Sequence, residues 1–487
     1  MSVKQEMISG VWWTAIQKYS GIMVQLVISA ILARLISPEE FGIVAISMVL
    51  ITFLSIFTDM GIAPAIVQYK NLSQHDLNHI FSITVYGGVV LSILFFFLAD
   101  SISAFYHKDS LAVICKILSV NIFFNALDIV PDALVVKNQE FKFIAKRMFF
   151  LQTAGGLIAV IAAYNGLGVY SLLIAPVLSS VGVFIVNYAK YKQRFHIRVN
   201  IQPIKQLFSF SVFQFLFNFM NYFSRNVDKL IIGKYLTLTD LGYYEKSCHV
   251  MMVPLQNVTH VITPVMHPVL SILQDNKKEL AEKYNRIIKL LATIGFPLGM
   301  LLFFTAEEII LIVFGNQWEK AIPTLQILSL SVPVQIVLSS TSAIFQSAGN
   351  TVRMFQTGMI NTLIQVTGFV AAVLFYRTVE AFAWFWNISC VLTAMVSFSI
   401  LYRLVLRSSL RRILYGMLIP AINALLVAAV LAATDALNIE NMIVTLLIKV
   451  ILFAVISYFV IQYFRQYDIH SLLKKYIHDY KTNTRSD

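Results

Sequence analysis

Two stretches of this chain place polar residues at helical spacing inside otherwise apolar sequence. Intervals of three or four residues put side chains on one face of a helix. The first stripe consists of Thr14, Lys18, Gly21, Gln25 and Ser29, and the second consists of Gln214, Asn218, Asn221, Arg225 and Lys229. Cations and amides in such an array bind phosphate and hydroxyl groups. Because a polar face is costly against lipid, we expect both stripes to face one water-filled cavity, or to join helices to one another.

The two stripes belong to an internal repeat with an offset of 200 residues. The turn at 33–42 aligns without gaps with the turn at 233–242, and Pro64 and Pro264 also match. A second pair of stripes consists of Asn121, Asn125, Asp128 and Asp132 in the fourth apolar segment, and of Gln335, Ser339, Ser342 and Gln346 in the tenth. This pattern predicts two halves of the same orientation, related by an axis along the membrane normal.

The elements that position these residues are transmembrane helices. Of 487 residues, 58% are hydrophobic and 13% are charged, too apolar for a soluble domain of this length. The short alternating segments of a β-barrel are absent from the sequence. A span needs about 20 apolar residues, and the sequence predicts an all-α polytopic membrane protein with fourteen spans. They lie near 9–36, 41–67, 80–99, 111–136, 147–164, 169–189, 207–233, 241–272, 287–313, 321–347, 354–376, 382–402, 413–433 and 442–464.

Basic residues set the predicted orientation and domains. Lys and Arg alternate between rich and poor loops, which places both termini in the cytoplasm. The net charge of +12 therefore indicates membrane topology rather than nucleic-acid binding. We expect an N-lobe at 1–205 with helices one to six and a C-lobe at 206–405 with helices seven to twelve. Helices thirteen and fourteen follow at 406–464, and 465–487 is either an amphipathic helix on the inner leaflet or a partly disordered tail.

The intramembrane charges allow several roles. Lys18 has no evident local partner and is a candidate for substrate contact. Arg225 and Lys229 can hold an anionic group, or Asp228 can neutralise Arg225 one turn away. Near the outer end of helix eight, Lys246 is a ligand or an interfacial residue, and His249 is a ligand, a proton relay or a hydrogen-bonded structural histidine.

Three acids, Asp59, Asp128 and Asp228, are candidates for coupling to a proton or to sodium, or for structural roles. Asp59 can cap a turn at Met60-Gly61, and Asp128 can pair with a basic loop residue. Three cysteines inside apolar segments predict buried thiols. No spacing typical of a metal site, a catalytic triad or a nucleotide-binding loop occurs in the sequence. We therefore expect a transporter without catalytic residues, bound cofactor or metal.

Four segments carry a resemblance to a known family. They are Ala-Arg-Leu-Ile-Ser-Pro-Glu-Glu-Phe-Gly at 33–42, Asp-Met-Gly at 59–61 leading to Val-Gln at 67–68, Asn-Gln-Glu-Phe-Lys at 138–142, and 225–244 with Asp-Lys-Leu-Ile-Ile-Gly and Leu-Gly-Tyr-Tyr. In order and spacing the chain resembles the polysaccharide-exporter branch of the MOP superfamily, and most of all the Wzx-type (WzxC-like) O-antigen and capsule flippases.

This resemblance implies export of an undecaprenyl-pyrophosphate-linked oligosaccharide across the bacterial inner membrane by alternating access. It implies lipid and the lipid-linked glycan as partners, with a polysaccharide polymerase and other assembly proteins of the pathway as further candidates. Lys18, Gln25, Asn218, Asn221, Arg225, Lys229, Lys246 and His249 would then contact substrate. A peptidoglycan-precursor flippase and a cation-coupled multidrug exporter of the same superfamily are alternatives, and a membrane polysaccharide polymerase is a further one.

Overall fold

The computed structural model describes residues 3–69, 72–200, 202–437 and 439–464. Within helices it describes only the backbone of residues 3–18, 203–214, 217, 221, 260–265 and 267–269. The predicted tail at 465–487 lies outside the described residues.

The described ranges consist of helices joined by turns and loops and contain no strand. The helices are α1 Val3–Leu35, α2 Pro38–Asp59, α3 Ile62–Gln68, α4 Gln74–Tyr106, α5 Ser110–Lys137, α6 Phe141–Tyr164, α7 Ser171–Lys190, α8 Gln202–Tyr235, α9 Leu238–Ser271, α10 Lys277–Phe304, α11 Ala306–Val313, α12 Ala321–Ser329, α13 Val332–Leu338, α14 Thr341–Ser347, α15 Thr351–Phe375, α16 Val379–Ile400, α17 Arg411–Asp435 and α18 Met442–Tyr463. A π-helical turn at Leu401–Val405 continues α16.

The lengths and apolar composition of these helices make the protein a multi-pass membrane protein. Among the described residues, ten helices are long and apolar enough to cross a membrane, and a bent pair raises the number to eleven. The predicted first, seventh and eighth spans are not among them, and α1 contributes only the shorter apolar stretch Tyr19–Leu35. The count of fourteen spans and the cytoplasmic location of the termini therefore stay predictions.

Three spans that the sequence predicts as single helices are broken. The segment 41–67 breaks where Met60 and Gly61 adopt positive φ values of 42° and 76°. The segment 287–313 is interrupted at Thr305. The segment 321–347 divides into α12, α13 and α14, with a bend of 47° before α13. Hydrophobicity alone does not mark such breaks, because the apolar composition continues across them.

The described chain packs as two compact units, Met1–Glu245 and Lys246–Asp487. In the first unit α5 is central and contacts α2, α3, α4 and α7, while α1 packs on α6 and α8 packs on α2. Its core joins α3, α4 and α5 through Ile66, Ile80 and Val130, which are fully buried. The predicted lobe boundary at 205 stays a prediction.

In the second unit α10 is central and contacts α12, α13 and α17. Helix α16 packs on α12 and α15, and α18 packs on α17 and α11. The two final helices are therefore integral to this unit, through contacts that the sequence did not reveal.

Candidate functional site

The two turns aligned by the repeat have the same local structure. Ser37 accepts a hydrogen bond from the Glu40 amide at 3.4 Å, and the Glu40 carboxylate accepts one from the Ser37 amide at 3.0 Å. Thr237 and Asp240 make the same reciprocal pair, at 3.0 and 3.2 Å. Each pair is a capping box, which satisfies free amides at the start of a helix. The 200-residue offset therefore relates equivalent helix starts, those of α2 and α9.

These two turns also touch each other reciprocally, through glycine. A Cβ atom on Gly42 would lie 1.7 Å from the carbonyl oxygen of Leu238, and one on Gly242 would lie 2.0 Å from that of Pro38. The two contacts are equivalent under the 200-residue offset, because Gly42 corresponds to Gly242 and Pro38 corresponds to Leu238. Such a reciprocal pair is typical of a contact across a two-fold axis. Only glycine permits backbones to approach this closely. The turn of the first repeat is thus in direct backbone contact with its equivalent in the second.

Helix α8 packs an aromatic face against α2. Its polar stripe lies on a neighbouring face of the same helix. Phe53 of α2 lies against Phe219, Tyr222 and Phe223 of α8, with ring centroids 5.3 to 6.0 Å apart. The polar stripe lies about a quarter of a turn away around the helix. This arrangement leaves Arg225 exposed.

The described stripe residues differ in exposure. Arg225 and Gln25 are exposed, whereas Asn218 is half-buried. Across the ranges in which side chains are described, Arg225 forms no ion pair, so the predicted neutralisation by Asp228 is not observed there. On α1, a Cβ on Gly21 would lie 3.1 Å from the Gln152 side chain of α6. The side chains of Lys18 and Asn221 lie outside the described residues.

Asp228 and Lys229 have separate partners. The Tyr244 hydroxyl donates to Asp228 Oδ2 at 2.8 Å, and Lys229 Nζ lies 2.8 Å from Glu245 Oε2. Asp228 is 3% exposed, and its Oδ1 has no hydrogen-bond partner in the described part of the chain. A buried carboxyl oxygen without a donor is costly if charged. One oxygen of this buried carboxyl group is therefore bound by Tyr244, and the other has no donor within the described ranges.

Lys246 belongs to the second unit and is buried there. Its Nζ lies 5.1 Å from the centroid of the Phe314 ring and 5.6 Å from that of Trp318, within the range of cation–π attraction. His249, one turn later on α9, is half-buried. The ammonium group of Lys246 thus lies beside two aromatic rings, and its role as a ligand or as an interfacial residue stays a prediction.

Asp59 caps the break in the second predicted span. Its Oδ1 accepts a hydrogen bond from the amide of Ala63 at 3.2 Å, across the turn formed by Met60 and Gly61. This is the capping geometry that the sequence offered as one alternative. One oxygen of this carboxylate therefore caps the start of α3.

Asp128 lies in a buried network that links α5, α6 and α7. Asn187 donates to Asp128 at 2.8 Å and to Asp132 at 3.2 Å. Arg147 donates to Asp132 at 3.1 Å and also to the Asn187 side-chain oxygen. The basic residue that Asp128 was expected to meet is therefore Arg147, but Asn187 stands between them. Arg147 is 8% exposed, so it is buried within this network rather than exposed in a loop.

A second buried ion network joins α18 to the rest of its unit, and the sequence analysis assigned it no role. Lys449 is 3% exposed and pairs with Glu308 of α11 and, at 2.6 Å, with Asp435 of α17. Its ammonium also donates to the carbonyl of Phe304 at 2.6 Å. A lysine within an apolar span was the available signal, because such residues are rare and almost always paired.

The three cysteines are buried and carry free thiols, as predicted. Over the described ranges, histidines, cysteines and acids form no group of three able to hold a metal ion.

Comparison with known proteins agrees with this architecture. Residues 31–323 match the family model described as "Polysaccharide biosynthesis protein". The lipopolysaccharide biosynthesis protein WzxC of Escherichia coli (strain K12) is 24% identical, and the alignment covers 86% of each chain. The succinoglycan biosynthesis transport protein ExoT of Rhizobium meliloti (strain 1021) is 25% identical, over 86% of this chain and 85% of that protein.

Among solved structures, the Lipid II flippase MurJ in an inward closed conformation superposes with a TM-score of 0.74. That match covers 93% of this chain and 99% of the other, at 15% identity, and so concerns the fold. The matched repeat turns and the capped break at Asp59 all lie within the family-matched region. This chain therefore belongs to the polysaccharide biosynthesis protein family.

Proposed function

We propose that this protein is a flippase that moves an undecaprenyl-pyrophosphate-linked oligosaccharide across the bacterial inner membrane by alternating access. Family membership supports the transport class, and one observation supports the anionic cargo. Arg225 is an exposed arginine on a polar helix face and has no acidic partner in the part of the chain that the structure describes. An unpaired guanidinium among apolar helices is a candidate ligand for phosphate.

The substrate sets a defined physical problem. A pyrophosphate and a sugar chain must pass hydrocarbon while the polyprenyl tail stays in lipid. Charged donors replace the water that phosphate oxygens lose, and amides replace the water around sugar hydroxyls. In this proposal Arg225 and Lys18 bind the pyrophosphate or an acidic sugar. Gln25, Asn218 and Asn221 bind hydroxyl groups.

The other predicted ligands have lesser roles in this proposal. Lys229 shares its charge with Glu245 at 2.8 Å, so it contributes less to anion binding than Arg225. Lys246 lies against Phe314 and Trp318, and we assign it and His249 to the packing of α9. A polysaccharide polymerase and other assembly proteins are proposed as partners through the shared substrate.

Two alternatives within the superfamily are a peptidoglycan-precursor flippase and a cation-coupled multidrug exporter. The structural likeness to MurJ concerns the fold and does not favour the first. A multidrug exporter for cationic compounds needs an acidic cavity, whereas the polar stripe of α8 carries Arg225 and Lys229. The family match to polysaccharide biosynthesis proteins favours the lipid-linked glycan over both alternatives and over a polymerase.

Arg225→Ala is expected to reduce export of surface polysaccharide about tenfold, because a charge-assisted hydrogen bond to phosphate contributes about 1.5–3 kcal/mol. Polysaccharide would be quantified in a strain that lacks its own copy, with protein level measured by immunoblot. Lys18→Ala is expected to act in the same direction. The matched control is Arg353→Ala, an exposed arginine whose guanidinium donates to Gln356 in the same helix. Normal polymer in both Arg225→Ala and Lys18→Ala strains would remove these residues from the site.

Coupling to a proton is the second part of the proposal, with Asp228 as the titrating group and sodium as the alternative. The Oδ1 atom of Asp228 lacks a donor in the described part, whereas Oδ1 of Asp59 accepts a hydrogen bond from the Ala63 amide. In proteoliposomes, Asp228→Asn is expected to abolish the response of flipping to an imposed pH gradient. Asp59→Asn retains a capping oxygen and should keep that response. A wild-type response to sodium but not to pH would reject the proton.

A further inference from the structure

The second unit contains an apolar pocket between α10, α13, α16 and α17. Its volume is about 410 Å³, and its wall includes Phe296 of α10, Val337 of α13, Ala394 and Met395 of α16, and Leu414 of α17. Ser399 is the one side chain in the wall with a hydroxyl group. A cavity of this size and composition suits an apolar ligand of modest length.

The pocket reaches the outer surface of this unit. Met395 is 62% exposed and Leu414 is 70% exposed, and both line the pocket. In a membrane protein, exposed apolar side chains on spanning helices face lipid. A hydrocarbon chain can therefore enter this pocket sideways, directly from the bilayer.

Arginines stand next to the pocket wall along the chain. Arg411 and Arg412 lie between the lining residues Leu410 and Ile413 in the sequence, and Arg407 lies three residues before Leu410 in the loop that precedes α17. All three arginines are exposed, and within the described ranges none of them forms an ion pair. Arg411 and Arg412 also occupy the first turn of α17, where the helix dipole disfavours cations. An anionic group beside these arginines would therefore be stabilised.

We propose that this pocket binds an anionic phospholipid of the bilayer, with one acyl chain among α10, α13, α16 and α17 and the phosphate on Arg411 and Arg412. Basic sites between helices on the cytoplasmic side are the usual binding places of anionic lipid head groups, and the distribution of Lys and Arg predicts that side for this loop. The pocket volume suits a single acyl chain rather than the whole of an eleven-isoprene polyprenyl tail. The inference does not depend on the transported substrate.

The test is lipid binding by the purified full-length protein in detergent, followed by native mass spectrometry. Dioleoylphosphatidylglycerol and dioleoylphosphatidylcholine, which have the same acyl chains, are titrated in parallel. We expect preferential binding of the anionic lipid. The double variant Arg411→Gln/Arg412→Gln should bind phosphatidylglycerol about 30-fold more weakly, since each basic residue near an anionic head group contributes about a factor of five. Binding of phosphatidylcholine should not change.

Two further variants separate the pocket from general surface charge. Ala394→Phe fills the pocket and is expected to weaken both lipids, while Arg353→Gln/Arg377→Gln removes two exposed arginines elsewhere in the unit and should change neither. Equal affinity for the two lipids, or a double variant at 411 and 412 that binds like the parent, would overturn the proposal. Displacement of bound phosphatidylglycerol by equimolar undecaprenyl phosphate would assign the pocket to the carrier and would also overturn it. The arginine variants lie on the surface, so they test the proposal even if Ala394→Phe does not fold.

Discussion

Lys449→Ala is expected to lower the free energy of unfolding by about 3–5 kcal/mol, because removing one member of a buried ion network leaves the others uncompensated. Glu308 is 6% exposed, and its second carboxyl oxygen already has no hydrogen-bond partner in the described part. Without the ammonium group, its charge would stay in an apolar contact between α11 and α18. Unfolding of the purified protein in detergent, followed by circular dichroism against denaturant, measures the loss.

The control for this prediction is a surface ion pair of similar geometry. Lys116 lies 2.8 Å from Asp100, with side chains 34% and 69% exposed, so Lys116→Ala should cost less than about 1 kcal/mol. Lys449→Met combined with Glu308→Leu should recover most of the loss, since apolar replacements of a buried pair are often neutral. Equal effects of Lys449→Ala and Lys116→Ala would show that the buried network does not stabilise the second unit.

Gly42→Ala is the second large effect that we expect. The added Cβ would meet a backbone carbonyl at 1.7 Å, and a backbone atom cannot rotate away as a side chain can. Helices α2 and α9 must therefore separate, at a cost of about 1–3 kcal/mol or more. Thermal unfolding in detergent should show the loss, and the export assay should show reduced polysaccharide. Gly242→Ala should behave alike, since its Cβ would meet Pro38 O at 2.0 Å.

The chain supplies its own control for this substitution. Gly87 lies within α4, and a Cβ there would meet nothing within 4 Å. Gly87→Ala should therefore be neutral or stabilising by about 0.5–1 kcal/mol, the usual preference for Ala within a helix. The double variant Gly42→Ala/Gly242→Ala should lose less than the sum of the single losses, because the first separation relieves the second clash. Strict additivity would contradict the reciprocal contact.

Several parts of the structure could be predicted from local sequence. The capping boxes at Ser37 and Thr237 each join residues three positions apart. Their correspondence is visible by aligning the sequence with itself at an offset of 200 residues. The cap at Asp59 likewise involves neighbours in the chain. Most helix positions follow from runs of apolar residues, because backbone groups in hydrocarbon must bond within their own segment.

The breaks within spans and the partners of buried charges required the tertiary structure. Asp128 meets Asn187 across 59 positions, and Lys449 meets Glu308 across 141. The sequence showed that these residues are ionisable and lie in apolar surroundings, and hence that they need partners. Which groups satisfy them depends on which helices become neighbours, because side chains distant along the chain meet only where helices pack. Composition and periodicity thus determined the class and the repeat of this protein, and helix packing decided its ion networks and its lipid-facing pocket.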